Sequence, residues 1–340
     1  MYDLGQPLLG LALIVSLYLL GYGLNGIVLA EVLSLGCAAI AAIFVLQKVF
    51  PETRLVAPNR KMKPAELLAY SIPAMLGGAF SVYILWLDRI FVGLFLPTYE
   101  NGIYTAISQI STIFMVISSG ISPIVVPLFS QYHHSGEKAK LEDVYRISTK
   151  WGIYISIPIM AVLFVSPADS LSLIFGPEYS SGSVPFLILL GGQIINLVTG
   201  SVNPLLIMTD NQKVLLRISL AALVLEIILL VILIPLWGVI GAALSTSFCL
   251  SLLYLYELFW VKKHLNLWPY DKRYGKGVLA GMMTFGAVVI TRLVTSQFPV
   301  PGIILQSLVS LVAFCGILIL LKLDPEDRDF LKSFRLRRSG

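Results

Sequence analysis

The chain has 340 residues, 57% of them hydrophobic and only 13% charged, with a mean hydropathy of +0.86. Soluble domains carry about 25% charged residues, so this composition excludes one and calls for a lipid solvent. The net charge of +5 is no nucleic-acid footprint, because the basic residues are spread over short gaps instead of forming one basic face.

A bilayer core about 30 Å thick needs roughly 20 mainly apolar residues per spanning helix. Such runs occur at 5–22, 26–47, 66–96, 103–130, 149–168, 184–208, 215–236, 238–261, 277–297 and 302–322. Backbone groups in lipid must be satisfied within a segment or a closed barrel, so runs this long are predicted helices. The first has no basic leader and no small-residue cleavage site, and is expected to be a retained helix.

The gaps between runs set the orientation. Twenty-two of the 24 lysines and arginines fall in alternate gaps: Lys48 to Lys63, Lys138 to Lys150, Lys213 and Arg217, Lys262 to Lys276, and Lys322 to Arg338. The intervening gaps, around Gly21–Asn25, Pro97–Gly102, Pro167–Ser183, Pro235–Gly238 and Gln297–Gly302, carry none. This is the positive-inside pattern, and it puts the basic gaps and both termini in the cytoplasm of a multi-pass protein of the plasma membrane. Only Arg89 and Arg292 lie outside the scheme, each inside an apolar run.

Residues 22–48 and 237–263 repeat at a constant offset of 215, with Tyr22-Gly23-Leu24-Asn25-Gly26 matching Trp237-Gly238-Val239-Ile240-Gly241 and Lys48 matching Lys263. Each copy is a tight outer turn entering a helix that ends on a cytoplasmic lysine, and its glycines suit positive φ and close backbone approach. The offset equals six helices, an even shift that preserves orientation, as in parallel transporter repeats. The expected organisation is therefore 1–47 as the last two helices of a truncated N-terminal lobe, 48–65 as a proline-bearing cytoplasmic linker and 66–263 as a six-helix lobe. Residues 264–322 follow as an additional helix pair and 323–340 as a basic cytoplasmic tail. Gly21 to Gly26 also spell GxGxxG, but no strand precedes them and no acidic residue follows at the nucleotide-binding spacing, so the turn reading stands.

Chemistry beyond transport finds little footing. The three cysteines, Cys37, Cys249 and Cys315, all lie within helices and read as packing residues. His133, His134 and His264 fall in cytoplasmic loops without metal-ligand spacing, and no serine sits in a G-x-S-x-G elbow. No enzyme activity, metal or cofactor is expected.

Several stretches then fall in order: Asp88-Arg89-Ile90-Phe91-Val92-Gly93, Gly102-Ile103-Tyr104, Pro123 to Pro127, Phe175-Gly176-Pro177-Glu178-Tyr179, and Gly192-Gln193 with Asn196. Their order and spacing over about 200 residues resemble the polysaccharide-type flippases of the multidrug/oligosaccharidyl-lipid/polysaccharide exporter superfamily. Members usually have 12 or 14 helices, and this chain matches the last ten of the longer form. The resemblance implies movement of a polyprenyl-linked oligosaccharide across the membrane for polysaccharide biosynthesis. The headgroup would cross in a polar cavity while the tail stays in lipid, by alternating access and without a nucleotide. The partners it implies are that substrate, membrane lipids, and a glycan polymerase or glycosyltransferases. An ion-coupled multidrug exporter of the same superfamily, or a truncated non-transporting membrane partner, are the alternatives.

Polar residues inside the runs are the candidate site. Arg89 lies about eight residues from the outer end of its run, roughly 12 Å deep at 1.5 Å per residue. An arginine at depth needs a partner or a wet cavity, and its planar fork suits the diphosphate or acidic sugars of such a substrate. A salt bridge or snorkelling is the structural alternative. Asp88 points about 100° away and is kept beside it. Arg292 can snorkel to the outer interface, its favoured reading, and is retained as a second candidate contact. Gln193, Asn196 and Asn203 share one helical face, where the first two are candidate sugar-binding residues and Asn203 is read as inter-helix glue beside Pro204. Glu226, at mid-span, must be protonated or paired and is the candidate ion-coupling residue. Glu31 and Glu257, nearer helix ends, read as structural.

The reading is thus an all-α polytopic membrane protein of about ten transmembrane helices. Single cysteines at Asn101 and Ser181 should react with an impermeant thiol reagent in intact cells, and cysteines at Ser135 and Asn266 should not. The reverse labelling pattern would overturn the orientation.

Overall fold

Two of the tight turns between spanning helices use backbone angles that side-chain-bearing residues avoid, and glycine supplies them. The computed structural model describes residues 2–49, 64–271, 274–295 and 299–321. Most of the linker and the basic tail expected from the sequence lie outside the described residues. Helix α1 (Tyr2–Leu19) reaches α2 (Gly23–Val49) through Gly21 and Gly23, at φ 84° and 52°.

The second such turn is hidden inside α10 (Gln212–Trp260), where Gly238 takes φ 56° and ψ −135°. A straight helix of 49 residues would be about 74 Å long at 1.5 Å per residue, more than twice the bilayer core. Thr246 Oγ1 lies 3.1 Å from Glu226 Oε1, whereas twenty residues of straight helix would separate them by about 30 Å. So α10 is a hairpin of two antiparallel arms, 212–237 and 239–260. Gly23 and Gly238, paired by the sequence repeat, thus have nearly the same φ. Three residues further on, a Cβ on Gly241 would run into the Leu233 carbonyl.

The chain divides into two compact units, Met1–Glu66 and Leu67–Gly340. In the first, the buried residues of α2 are Gly26, Ala30, Ser34 and Ala38, spaced four apart. Lipid provides no hydrophobic drive between helices, so small residues that let backbones approach hold the pair. Gln6 Nε2 donates to Ser34 Oγ at 3.3 Å across the two helices. Leu8, Leu11, Val32 and Phe44 point outward.

The second unit comprises α3 (Pro64–Phe95), α4 (Thr98–Ser111), α5 (Ile113–His134), α6 (Lys138–Val165), α7 (Pro167–Phe175), α8 (Ser183–Thr199), α9 (Val202–Met208), α10, α11 (Tyr274–Thr295) and α12 (Pro299–Leu320). Helix α8 packs against α10, α4 and α6, while α11 and α12 pack on α6. One apolar cluster gathers Tyr104, Phe114, Phe186 and Leu230. A second, towards the other end, gathers Phe129, Tyr145, Leu205 and Leu253.

Two predicted helices are interrupted. Run 103–130 is kinked at Thr112, between α4 and α5. Run 184–208 breaks at Gly200, φ 67°, into α8 and α9. Pro204 has no N–H for the Gly200 carbonyl and its ring crowds that position, which ends the helix there. The carbonyls left over at Val198 and Thr199 accept bonds from Tyr270 OH at 2.7 Å and Tyr145 OH at 2.8 Å. Burial pushes the Tyr270 phenol up to about 12, so it keeps its proton at neutral pH. The gap 167–183 is itself ordered, as α7 and a 3-10 turn over Pro177–Gly182. Cys249 is buried, but Cys37 and Cys315 are exposed on helix faces, so only one of the three packs inside.

Eight described segments are long and apolar enough to span a membrane. One of them is the Gln212–Leu265 hairpin, which supplies two crossings, and Gly5–Leu19 is a shorter apolar helix. The all-helical, roughly ten-span architecture expected from the runs is the one observed. Gly241→Ala should lower the unfolding free energy in detergent by about 1–3 kcal/mol, the usual range for overpacking. Gly36→Ala, whose new methyl would meet nothing within 4 Å, should leave the melting temperature unchanged.

Candidate substrate and ion site

Polar side chains buried between spanning helices are stabilised by partners in one another, and several from α3, α4, α8 and α10 meet at one place. Asp88 of α3 is 1% exposed and Glu226 of the first α10 arm 0%. Asp88 Oδ2 accepts from Tyr104 OH of α4 at 2.7 Å and lies 3.3 Å from Thr246 Oγ1. Its Oδ1 accepts the Arg89 backbone N–H at 2.7 Å. Thr246, on the second α10 arm, therefore stands between the two carboxyl groups, 3.1 Å from Glu226 Oε1.

A threonine hydroxyl has one proton to give. It satisfies both carboxyls only when one of them is itself protonated and donates back, or when a cation joins them. The second oxygen of Glu226, Oε2, has no hydrogen-bond partner among the described residues. Two full negative charges this close in a dry interior would repel strongly.

Arg89 is next to this group on α3. Its guanidinium carbon lies 4.5 Å from the centroid of the Trp86 ring, a cation–π contact. Its Nε is buried without a hydrogen-bond partner among the described residues. Asp88, Arg89, Gln193 and Thr246 line one small cavity of about 10 Å³, room for roughly one water. No sugar fits there in this conformation, and any larger ligand requires the surrounding helices to part.

The structure thus brings together Asp88, Arg89, Gln193 and Glu226. Asn196 is attached through Gln193, donating from Nδ2 to Gln193 Oε1 at 3.1 Å. Asn203 leaves the stripe because the helix breaks at Gly200. It turns instead to Ser81, 3.5 Å away, where Ser81 and Ser219 share a 2.8 Å bond.

Arg292 is elsewhere. From α11 its Nη1 donates to Ser166 Oγ at 3.1 Å and its Nη2 lies 3.6 Å from Asp169 Oδ2 at the α6–α7 corner. Ser166 in turn donates to Gln306 of α12 at 2.7 Å. The arginine is occupied as a strut between the C-terminal helices and that corner, and does not line the Arg89 cavity. Two partners were not among the sequence candidates. Tyr104 stood in the Gly102-Ile103-Tyr104 pattern and could have been found there, whereas Thr246 sits between two serines with nothing to set it apart. Glu257, read as structural at a helix end, is fully buried with neither carboxyl oxygen hydrogen-bonded.

Membrane-length helices with charged groups buried between them define a polytopic α-helical membrane protein. The chain belongs to the polysaccharide biosynthesis protein family, whose family model matches residues 2–184. It is 28% identical over 178 residues to the probable low-salt glycan biosynthesis flippase Agl15 of Haloferax volcanii, covering 52% of this chain and 37% of that protein. It is 33% identical over 174 residues to the probable flippase AglR of the same organism, covering 49% and 36%. The aligned part of the chain thus spans little more than a third of either relative. The fold is similar to that of the lipid II flippase MurJ in an inward closed conformation, with a TM-score of 0.68 at 16% identity over 92% of this chain and 65% of that one.

Thr246→Val keeps the shape but removes the bridging hydroxyl. It should cost about 1–3 kcal/mol of stability, the loss expected when buried acceptors are left without a donor. Thr246→Ser, which restores the hydroxyl, should recover more than half of that in a thermal melt. Equal melting of the two variants would mean that the bridge contributes nothing.

Proposed function

We propose that the chain forms part or all of a flippase that moves a lipid-linked oligosaccharide across the plasma membrane for polysaccharide biosynthesis, with both termini cytoplasmic. The observation that carries the reading is Arg89, a cation held at depth with an unpartnered Nε and no carboxylate against its guanidinium among the described residues. A diphosphate or acidic sugar leaving water needs such a charge, and the bidentate fork of arginine fits it. Membership of a polysaccharide biosynthesis family and the printed names of the two relatives support the same reading. Its activity is transport, with no catalytic step assigned to any residue.

Residues 66–263 act as one six-helix lobe in this reading, with 1–47 the end of a preceding parallel lobe and 264–322 an added pair. Gln193 and Asn196 hydrogen-bond sugar hydroxyls once the helices part. Asp88, Thr246 and Glu226 form the coupling site, where arrival of a proton or cation relieves two opposed carboxyls. Arg292 serves as the strut already described. A glycan polymerase or glycosyltransferases supply or consume the cargo.

In cells that depend on this protein for glycan export, Arg89→Ala should abolish export while leaving the protein inserted and folded. Arg89→Lys should restore only part of it, because lysine keeps the charge and loses the fork. A role confined to structure would lower expression or melting temperature before export. Normal export by a normally expressed Arg89→Ala protein would rule out the substrate contact.

A further inference from the structure

The two arms of α10 do not close on one another along their whole length. Away from the Gly238 turn they leave a groove of about 390 Å³. Its floor and walls are Ala221, Ala222 and Leu225 of the first arm, and Leu252 and Leu253 of the second. The two alanines matter because larger side chains there would fill the space. At the far end of the groove stand Arg217 on one arm and Tyr256 on the other. The contact of Glu226 with Thr246 fixes the register of the arms and sets Arg217 and Tyr256 nearly opposite each other.

Both are exposed. Arg217 has no ion pair or hydrogen bond among the described residues, and the Tyr256 hydroxyl has no hydrogen bond there. Arg217 and Leu225 are eight residues apart, so the groove runs about 12 Å along the arms at 1.5 Å per residue. It begins at a cation and a hydroxyl without partners among the described residues and continues as an apolar slot into the membrane-spanning part. Arg217 belongs to one of the basic gaps, the cytoplasmic side in the positive-inside reading, where anionic headgroups concentrate.

We propose that this groove is a binding site for an anionic phospholipid of the cytoplasmic leaflet. One acyl chain lies between the α10 arms against Ala221 and Ala222, and the phosphate is held by the Arg217 guanidinium and the Tyr256 hydroxyl. The charge of the site selects the headgroup and the apolar slot selects a lipid over a free phosphate. The proposal uses the membrane embedding of the chain but not the nature of its cargo, so it stands or falls separately from the flippase reading.

The test is native mass spectrometry of the purified full chain in detergent, with phosphatidylglycerol or phosphatidylcholine of matched acyl chains added. Wild type should retain phosphatidylglycerol in preference to phosphatidylcholine. Arg217→Ala should cut phosphatidylglycerol retention by about fivefold, as expected for one basic side chain near a lipid phosphate, and leave phosphatidylcholine unchanged. Ala221→Phe, which fills the slot, should reduce retention of both lipids while circular dichroism confirms an unchanged helix content. Lys213→Ala, a neighbouring cation outside the groove, should have no effect. Equal retention of the two lipids by wild type, or an equal loss with Lys213→Ala, would overturn the proposal. So would displacement of phosphatidylglycerol by a polyprenyl diphosphate at lower concentration than phosphatidylglycerol itself binds, since the groove would then be a tail site for the cargo.

Discussion

One hydroxyl proton shared between two buried carboxyls is the constraint around which this molecule is arranged. Asp88 and Glu226 are both removed from water, and Thr246 lies within reach of each. No apolar packing can substitute for the missing donor, because lipid offers the helices no gain for simply coming together. The positions of α3, α4 and both arms of α10 are therefore set by whichever hydrogen bonds can be completed at this point. Tyr104 is placed by the same demand, and its hydroxyl is the donor that Asp88 does not have to share.

The rest of the second unit follows similar bookkeeping for backbone groups. A proline breaks a spanning helix at Gly200, and two tyrosines from elsewhere in the chain take up the released carbonyls. The strut from Arg292 through Ser166 to Gln306 ties the last two helices to the α6–α7 corner with hydrogen bonds. Each of these is a local answer to a polar group stranded in an apolar medium. Apolar side chains fill the two buried clusters between the helices, and others, such as Phe248 and Leu311, are exposed on the helix surfaces.

Much of this was legible in the sequence because the membrane restricts the choices. Apolar run length gives the helices. Gly23 and Gly238 were legible as turn residues because the sequence repeat pairs them between apolar runs and glycine takes positive φ without steric cost. Asp88, Arg89 and Glu226 stood out because charge in a spanning run must be answered. What remained illegible was which helix answers it. Arg292 read as snorkelling to the outer interface, but its partner Asp169 lies more than a hundred residues away and only the fold brings them together. Thr246 was invisible because serines and threonines in such helices ordinarily bond to the carbonyl one turn back, as Ser245 does to Gly241 at 2.8 Å. Pro204 announced a break, yet nothing local pointed to Tyr145 and Tyr270 as the donors that would seal it.

The tight turn at Gly238 has a mechanical consequence. Glu226 and Thr246 are carried on two arms joined at a single glycine and closely apposed three residues later at Gly241. Asp88 alone is borne by a different helix. In the proposed coupling, a change in how the proton is shared would act between α3 and the hairpin. Arg89 is the very next residue on α3, so the proposed substrate contact and the proposed coupling site would share one helix. Cargo and counter-charge would meet through one peptide bond, with no longer path of packed residues required between them.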